Sequence, residues 1–204
     1  MTGLRERKKI RTRERLVAET LHLCEMQGFD ATTIDQISAA ADVSPRTFHR
    51  YFRTKEDVVL APIDDIVSAM VVALDAQPVT GNEIDALVNA QVMVMTGTGP
   101  AGSDDLTHFE TMNRITRAAP SVDARRSEKA GELFRGISSK IAERLDLPIN
   151  DPRVQVVVAV YTSLVEVAME AWRGQSSAGG ANSAAFVESL AVTYENFREI
   201  AKNL

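Results

Sequence analysis

Cysteine, histidine, aromatic residues and long apolar runs are all scarce in this chain, and each shortage excludes a class of protein. A single cysteine, Cys24, rules out an intramolecular disulfide and makes a reducing cytoplasm the simplest compartment. His22, His49 and His108 share no metal-ligand spacing with one another or with Cys24, so no metal site is expected. The longest apolar run, residues 154–169, is shorter than a bilayer demands and carries Glu166, so no membrane span is expected. The opening stretch MTGLRERKKIRTRERL is basic but lacks the apolar segment of a secretory signal. Aromatics make up only 5% of the residues, so a place where several gather needs a reason.

What is present is the composition of an ordinary globular protein, 45% hydrophobic and 25% charged. The 204 residues suit one domain or two small ones. A net charge of −5 hides an uneven distribution. Residues 1–55 hold 11 Lys/Arg against 7 Asp/Glu, a balance of +4, whereas the rest holds 12 against 21, a balance of −9. A basic head on an acidic body points to a polyanion met by the first segment alone, or else to a solvated basic tail.

Hydrophobic spacing and cap residues predict an all-α fold of about nine helices. The first runs from about Arg7 to Gln27, with Val17, Leu21 and Cys24 on one face and Gly28 as its stop. Thr33, three residues before Gln36, marks a capping box for a short second helix that buries Ile34, Ile37 and Ala41. Ser44-Pro45 opens a third short helix through about Tyr51, and Thr54 caps a longer fourth. The fourth is expected over 55–76, with further helices at 82–96, 104–118, 121–145, 152–173 and 183–203.

Two short helices joined by the turn AADVS form a helix-turn-helix, in which the later helix enters the DNA major groove. That geometry accounts for the aromatic-basic run VSPRTFHRYF, residues 43–52. Phe48 and Phe52 lie four apart, share a face and should anchor the helix to the core. Arg46, Thr47, His49 and Arg50 fall largely on other faces, where phosphates and bases are within reach, and Tyr51 can pack its ring while its hydroxyl meets a phosphate. His49 has no nucleophile or orienting carboxylate placed beside it, so no catalytic residue is expected.

Residues 7–60, including GFDATTIDQISAAADVSPRTFHRYFRTKEDVV, resemble the DNA-binding domain of the TetR family of bacterial repressors. The resemblance implies a DNA-binding domain over 1–53 and a helical effector-binding and dimerisation domain over 54–204. It implies DNA contacts from Thr33, Ser44, Pro45, Arg46, Thr47, His49, Arg50, Tyr51 and Lys55, with base contact from Arg46 and Thr47. Phosphate contact falls to Thr33, His49, Tyr51 and Lys55. The charge of Arg7 to Arg13 suggests an added reach to the backbone or an adjacent minor groove. The implied regulator is a cytoplasmic homodimer on a near-palindromic operator, released by a small molecule and using no cofactor.

The apolar 152–173 segment, with Phe186, Leu190, Tyr194, Phe197 and Ile200 of the last helix, suits a two-fold four-helix interface. Met93, Met95, Phe109, Met112, Tyr161, Met169 and Trp172 suit either an adaptable apolar pocket or ordinary core. Arg114, Arg117, Arg125 and Arg126 suit either an anionic head group or a solvated face. An adaptor that coats DNA without ligand control is the nearest alternative. A nicotinamide-dependent oxidoreductase is the remote one: GTGPAG (97–102) follows VMVM and precedes Asp123, but the second strand such a site needs is missing.

Overall fold

A computed structural model describes residues 3–98, 107–175 and 183–203, in which there are eleven helices and no strand. They are α1 (Leu4–Gln27), α2 (Ile34–Ala40), α3 (Pro45–Tyr51), α4 (Lys55–Val59), α5 (Ala61–Asp75) and α6 (Glu83–Met95). α7 (Thr107–Ala118), α8 (Pro120–Leu133), α9 (Arg135–Leu145), α10 (Pro152–Gln175) and α11 (Ser183–Ala201) complete the order. The expected loop GTGPAG beyond Thr98, the start of the 104–118 helix and the break before Ser183 lie outside the described residues.

Two of the nine expected helices are each divided in two. Residues 55–76 break at Leu60, which separates α4 from α5. Pro62 explains it: an uninterrupted helix would need its missing N–H and would drive its ring into the carbonyl of residue 58. Residues 121–145 break at Phe134, between Gly131 and Gly136, two residues that cost more to hold in a helix than any other except proline. α1 starts three residues earlier than expected, so that Arg5 joins Arg7 to Arg13 in the helix.

The chain forms two compact units. Met1–Asp64 with Thr107–Ala130 makes the first, and Asp65–Leu106 with Gly131–Leu204 makes the second. In the first, Leu16, Leu21, Ile37, Phe48, Val58, Met112 and Val122 share one core. α7 supplies Met112 and Ile115 to it and packs on α1, while Arg114 pairs with Glu25. α8 is tied to α4 and α5 by Arg125 to Asp57 at 2.9 Å and Lys129 to Asp64 at 3.2 Å.

The second unit centres on Met70, Leu74, Leu87, Ile137, Ile141, Val154 and Tyr161. Its α5–α6 connection is held by Arg144, which donates to the carbonyls of Leu74, Gln77 and Pro78 and to the carboxylate of Glu83. Arg144 and Glu83 side chains are only 7% and 1% exposed, so neither charge has water as an alternative partner. α10 packs along α11, with Trp172 edge-on to Phe186 at 6.2 Å between ring centroids.

Pro152–Arg173 of α10 is, by length and composition, apolar enough to cross a membrane, with a mean hydropathy of 1.5. The sequence expectation stopped the apolar run at Met169 and missed its continuation through Ala171 and Trp172. Val156 and Val167 stand outside the unit's own core, 60% and 55% exposed.

Candidate nucleic-acid interface

The first unit builds its outer surface on α2 and α3, and local chemistry sets both. α1 stops at Gly28, whose φ of 85° is open to glycine without a Cβ penalty. A reciprocal capping box starts α2: Gln36 N–H donates to Thr33 Oγ1 at 3.2 Å, and Thr33 N–H to Gln36 Oε1 at 2.9 Å. Asp42 then takes a left-handed conformation, φ 54°, and Val43 N–H donates to the Ser38 carbonyl at 2.9 Å. Ser44 Oγ accepts from Thr47 N–H at 3.1 Å, with Pro45 at the first helical position of α3.

α3 has two faces. Phe48 is fully buried and Phe52 nearly so, their rings tilted at 6.1 Å between centroids. Pro45, Arg46, His49 and Arg50 are exposed on the other side. Arg46 and Arg50, four residues apart, project from the same stripe, and so do Pro45 and His49. Thr47 is half-buried, its hydroxyl 3.0 Å from that of Ser44, and Tyr51 is half-buried with the Arg50 guanidinium 5.2 Å from its ring centroid. Thr33 and Ser44 are exposed at the starts of α2 and α3. The structure thus gathers eight of the nine expected contact residues on one continuous segment, Thr33 to Tyr51.

Lys55 is placed differently. Its Nζ donates to the carbonyls of Phe29 and Thr32, both at 2.6 Å, and lies 4.0 Å from the Phe29 ring centroid. Sequence spacing carried no sign of this, because the partners lie 23 and 26 positions away. Two further supports were also missed: Arg15 donates to the Ala40 carbonyl at 3.2 Å, and the Arg13 guanidinium sits over Phe52. At the N-terminal end of α1, Arg5, Arg7, Lys8, Lys9 and Arg11 are exposed, with Lys9 loosely paired to Glu6.

The residues offered for an effector are divided between the two units. Phe109 and Met112 belong to the core of the first unit. Met93, Tyr161, Met169 and Trp172 belong to the second, where the Tyr161 hydroxyl donates to Gln91 Oε1 at 2.6 Å and burial pushes its pKa up. Gln77 Nε2 lies 2.9 Å from the Met93 sulfur. Of the arginines considered for a head group, Arg114 pairs with Glu25, Arg125 with Asp57 and Glu128, and Arg126 with Asp123. A cleft of about 390 Å³ opens between the start of α4 and α8, lined by Arg53, Thr54, Glu56, Ser121, Ala124, Arg125 and Glu128.

Among the described residues no group of three or more His, Cys, Asp or Glu is placed to hold a metal ion. Cys24 is buried, and that burial pushes its thiol up against the opposing pull of Thr32 and Lys55, which makes it a poor nucleophile.

The description "Bacterial regulatory proteins, tetR family" matches residues 16–61. The HTH-type transcriptional regulator TcmR of Streptomyces glaucescens is 34% identical over 201 residues, spanning 95% of this chain and 84% of that protein. Among solved structures, a TetR-family transcriptional regulator from Streptomyces coelicolor matches with a TM-score of 0.52 at 12% identity, over 92% of this chain and 98% of that one. A Mesorhizobium loti protein carrying a TetR-family description matches equally, TM-score 0.52 at 14% identity, over 94% and 96% of the two chains. At such identities the structural matches speak for the fold alone.

Proposed function

The chain belongs to the tetR family of bacterial regulatory proteins and is a helix-turn-helix transcriptional regulator; from that premise we propose that it represses transcription as a homodimer on a near-palindromic operator. α3 enters the major groove, where Arg46 and Thr47 meet base edges and Arg50 the groove wall. Thr33, Ser44, His49 and Tyr51 hold the flanking phosphates, and the exposed cations of α1 add sequence-independent attraction. The observation that carries this reading is the division of α3: Phe48 is 0% exposed while Arg46, His49 and Arg50 all face outward.

In this reading residues 1–53 bind DNA, and residues 54–204 dimerise and hold the effector. The dimer forms through α10 and α11, whose Val156, Val167, Val192 and Ile200 are 55–63% exposed in one chain. A second copy covers such a face more economically than a lipid bilayer, because Glu166 and Glu170 project from α10 beside those valines. The effector is small and apolar, and the candidates Met93, Tyr161, Met169 and Trp172 give it methionine and aromatic surface with one hydroxyl. The protein works in the cytoplasm, where the operator is, and has no enzymatic activity.

Footprinting of the purified chain on genomic DNA tests the reading. Sharp protection at a few palindromes, lost on adding an apolar compound, is the expected outcome. Uniform, salt-sensitive coating would favour the adaptor without ligand control.

A further inference from the structure

The resemblance puts Lys55 on the DNA backbone, yet its ammonium is already engaged. An ammonium has three donors, and two of them go to the carbonyls of Phe29 and Thr32 at 2.6 Å each. The Phe29 ring, 4.0 Å away, takes up part of the positive charge. Both acceptors lie in the loop that joins α1 to α2, and Thr32 is 1% exposed, so its carbonyl has no water to replace a departing lysine.

The same loop is also held by Phe29, 7% exposed in the core of the first unit. α1 carries no basic residue in its last turn, so the negative end of a 24-residue helix has no cation of its own there. Lys55 supplies that cation from the start of α4. Within the loop, Gln27 Nε2 reaches the Ala31 carbonyl at 3.2 Å and the Gln36 side chain at 3.1 Å, which connects loop to α2. Thr32 N–H and its hydroxyl bond back to Phe29 and Gly28.

We infer that Lys55 is a positioning residue: it sets the α1–α2 loop, and through it the placement of α2 and α3 on DNA, without itself holding a phosphate. This rests on the DNA-binding reading above. It also separates two roles that one weakened variant would confuse, since a phosphate contact and a loop anchor both cost affinity when removed.

Three readouts on the full-length chain keep them apart: affinity for a selected operator across a salt series, melting temperature, and amide hydrogen exchange without DNA. Lys55→Met keeps the stem and loses the charge, and Lys55→Arg offers a better phosphate ligand with a fork too broad for the cradle. Both are expected to bind at least about tenfold more weakly at temperatures where they are fully folded, with the native salt slope. Amides 28–36 are expected to exchange faster in both variants while the core of α1 does not change.

A salt slope reduced by about two per dimer, with affinity restored in Lys55→Arg, would assign Lys55 to a phosphate and overturn the inference. Native affinity in both folded variants would overturn it as well. If neither variant folds, the Lys55 ammonium resonance of the native chain decides: it stays put when operator is added in this account and shifts if the group moves to a phosphate. A native chain that binds no DNA removes the underlying reading, a result distinct from all of these.

Discussion

α3 buries Phe48, with Phe52 buried just past its end, and turns Arg46, His49 and Arg50 outward, whereas α10 and α11 bury Trp172 and Phe186 yet leave Val156, Val167, Val192 and Ile200 55–63% exposed. Each unit therefore leaves uncovered the chemistry of the partner it is proposed to meet. A cationic, hydrogen-bonding stripe costs nothing to hold in water and gains when phosphates replace the solvent's counterions. Exposed valines lose free energy in water at every moment and gain when a like surface covers them. The charge imbalance of the sequence, +4 over residues 1–55 and −9 beyond, is the same contrast seen from further away.

Breaking the apolar side of the contrast should have the largest effect. Val156→Glu with Val167→Glu introduces two carboxylates into the proposed dimer face. Sedimentation is expected to show a monomer, and operator affinity to fall by roughly 10²–10⁴-fold, the avidity that joining two half-site modules confers. A dimer that survives both changes places the interface elsewhere.

Arg144→Met tests whether the second unit can be damaged without touching the DNA surface. It leaves Glu83, 3% exposed, as an unpaired buried charge, and urea melts are expected to show a loss of about 3–5 kcal/mol. Operator affinity of the folded fraction should not change. On the cationic side, Arg46→Ala should cost about 1–3 kcal/mol of binding and relax base preference at one position per half-site, read by competition with single-base operator variants.

The smallest effect is a pH dependence within the first unit. Burial alone would push the Asp57 carboxyl up, but the Arg125 hydrogen bond and charge, with Lys129 and Thr54, outweigh it and hold the group below its ordinary range. The folded pKa is thus below the unfolded one, about 4. The resulting stabilisation is present above that value and is lost as pH falls through the depressed one. Arg125 is 30% exposed, so solvent screening limits the contribution to about 1 kcal/mol. Asp57→Asn is expected to lower stability by that amount at neutral pH and to flatten its decline below pH about 4.

Legibility in the sequence followed distance along the chain. Thr33 with Gln36, Ser44 with Pro45, and Phe48 with Phe52 lie within four residues of each other, and their caps and faces were readable directly. Pro62 was equally local and readable, and it divides a helix that hydrophobic spacing alone made continuous. What spacing could not carry was the pairing of distant segments. Glu25 meets Arg114 across 89 positions and Asp57 meets Arg125 across 68, contacts that draw α7 and α8 into the same compact unit as α1 to α4. Core membership was equally hidden in the methionine and aromatic series, where Phe109 and Met112 join one core and Tyr161 the other.

Selection of bound duplexes from a random DNA pool by the purified full-length chain, read by sequencing, tests the central claim most directly. Enrichment of a near-palindrome with half-sites about one helical turn apart, or a related spacing, is the predicted result, and it should vanish when Arg46 and Tyr51 are both replaced by alanine. A pool that emerges with no sequence enriched over the input, at a salt concentration where the chain is folded and dimeric, would contradict it.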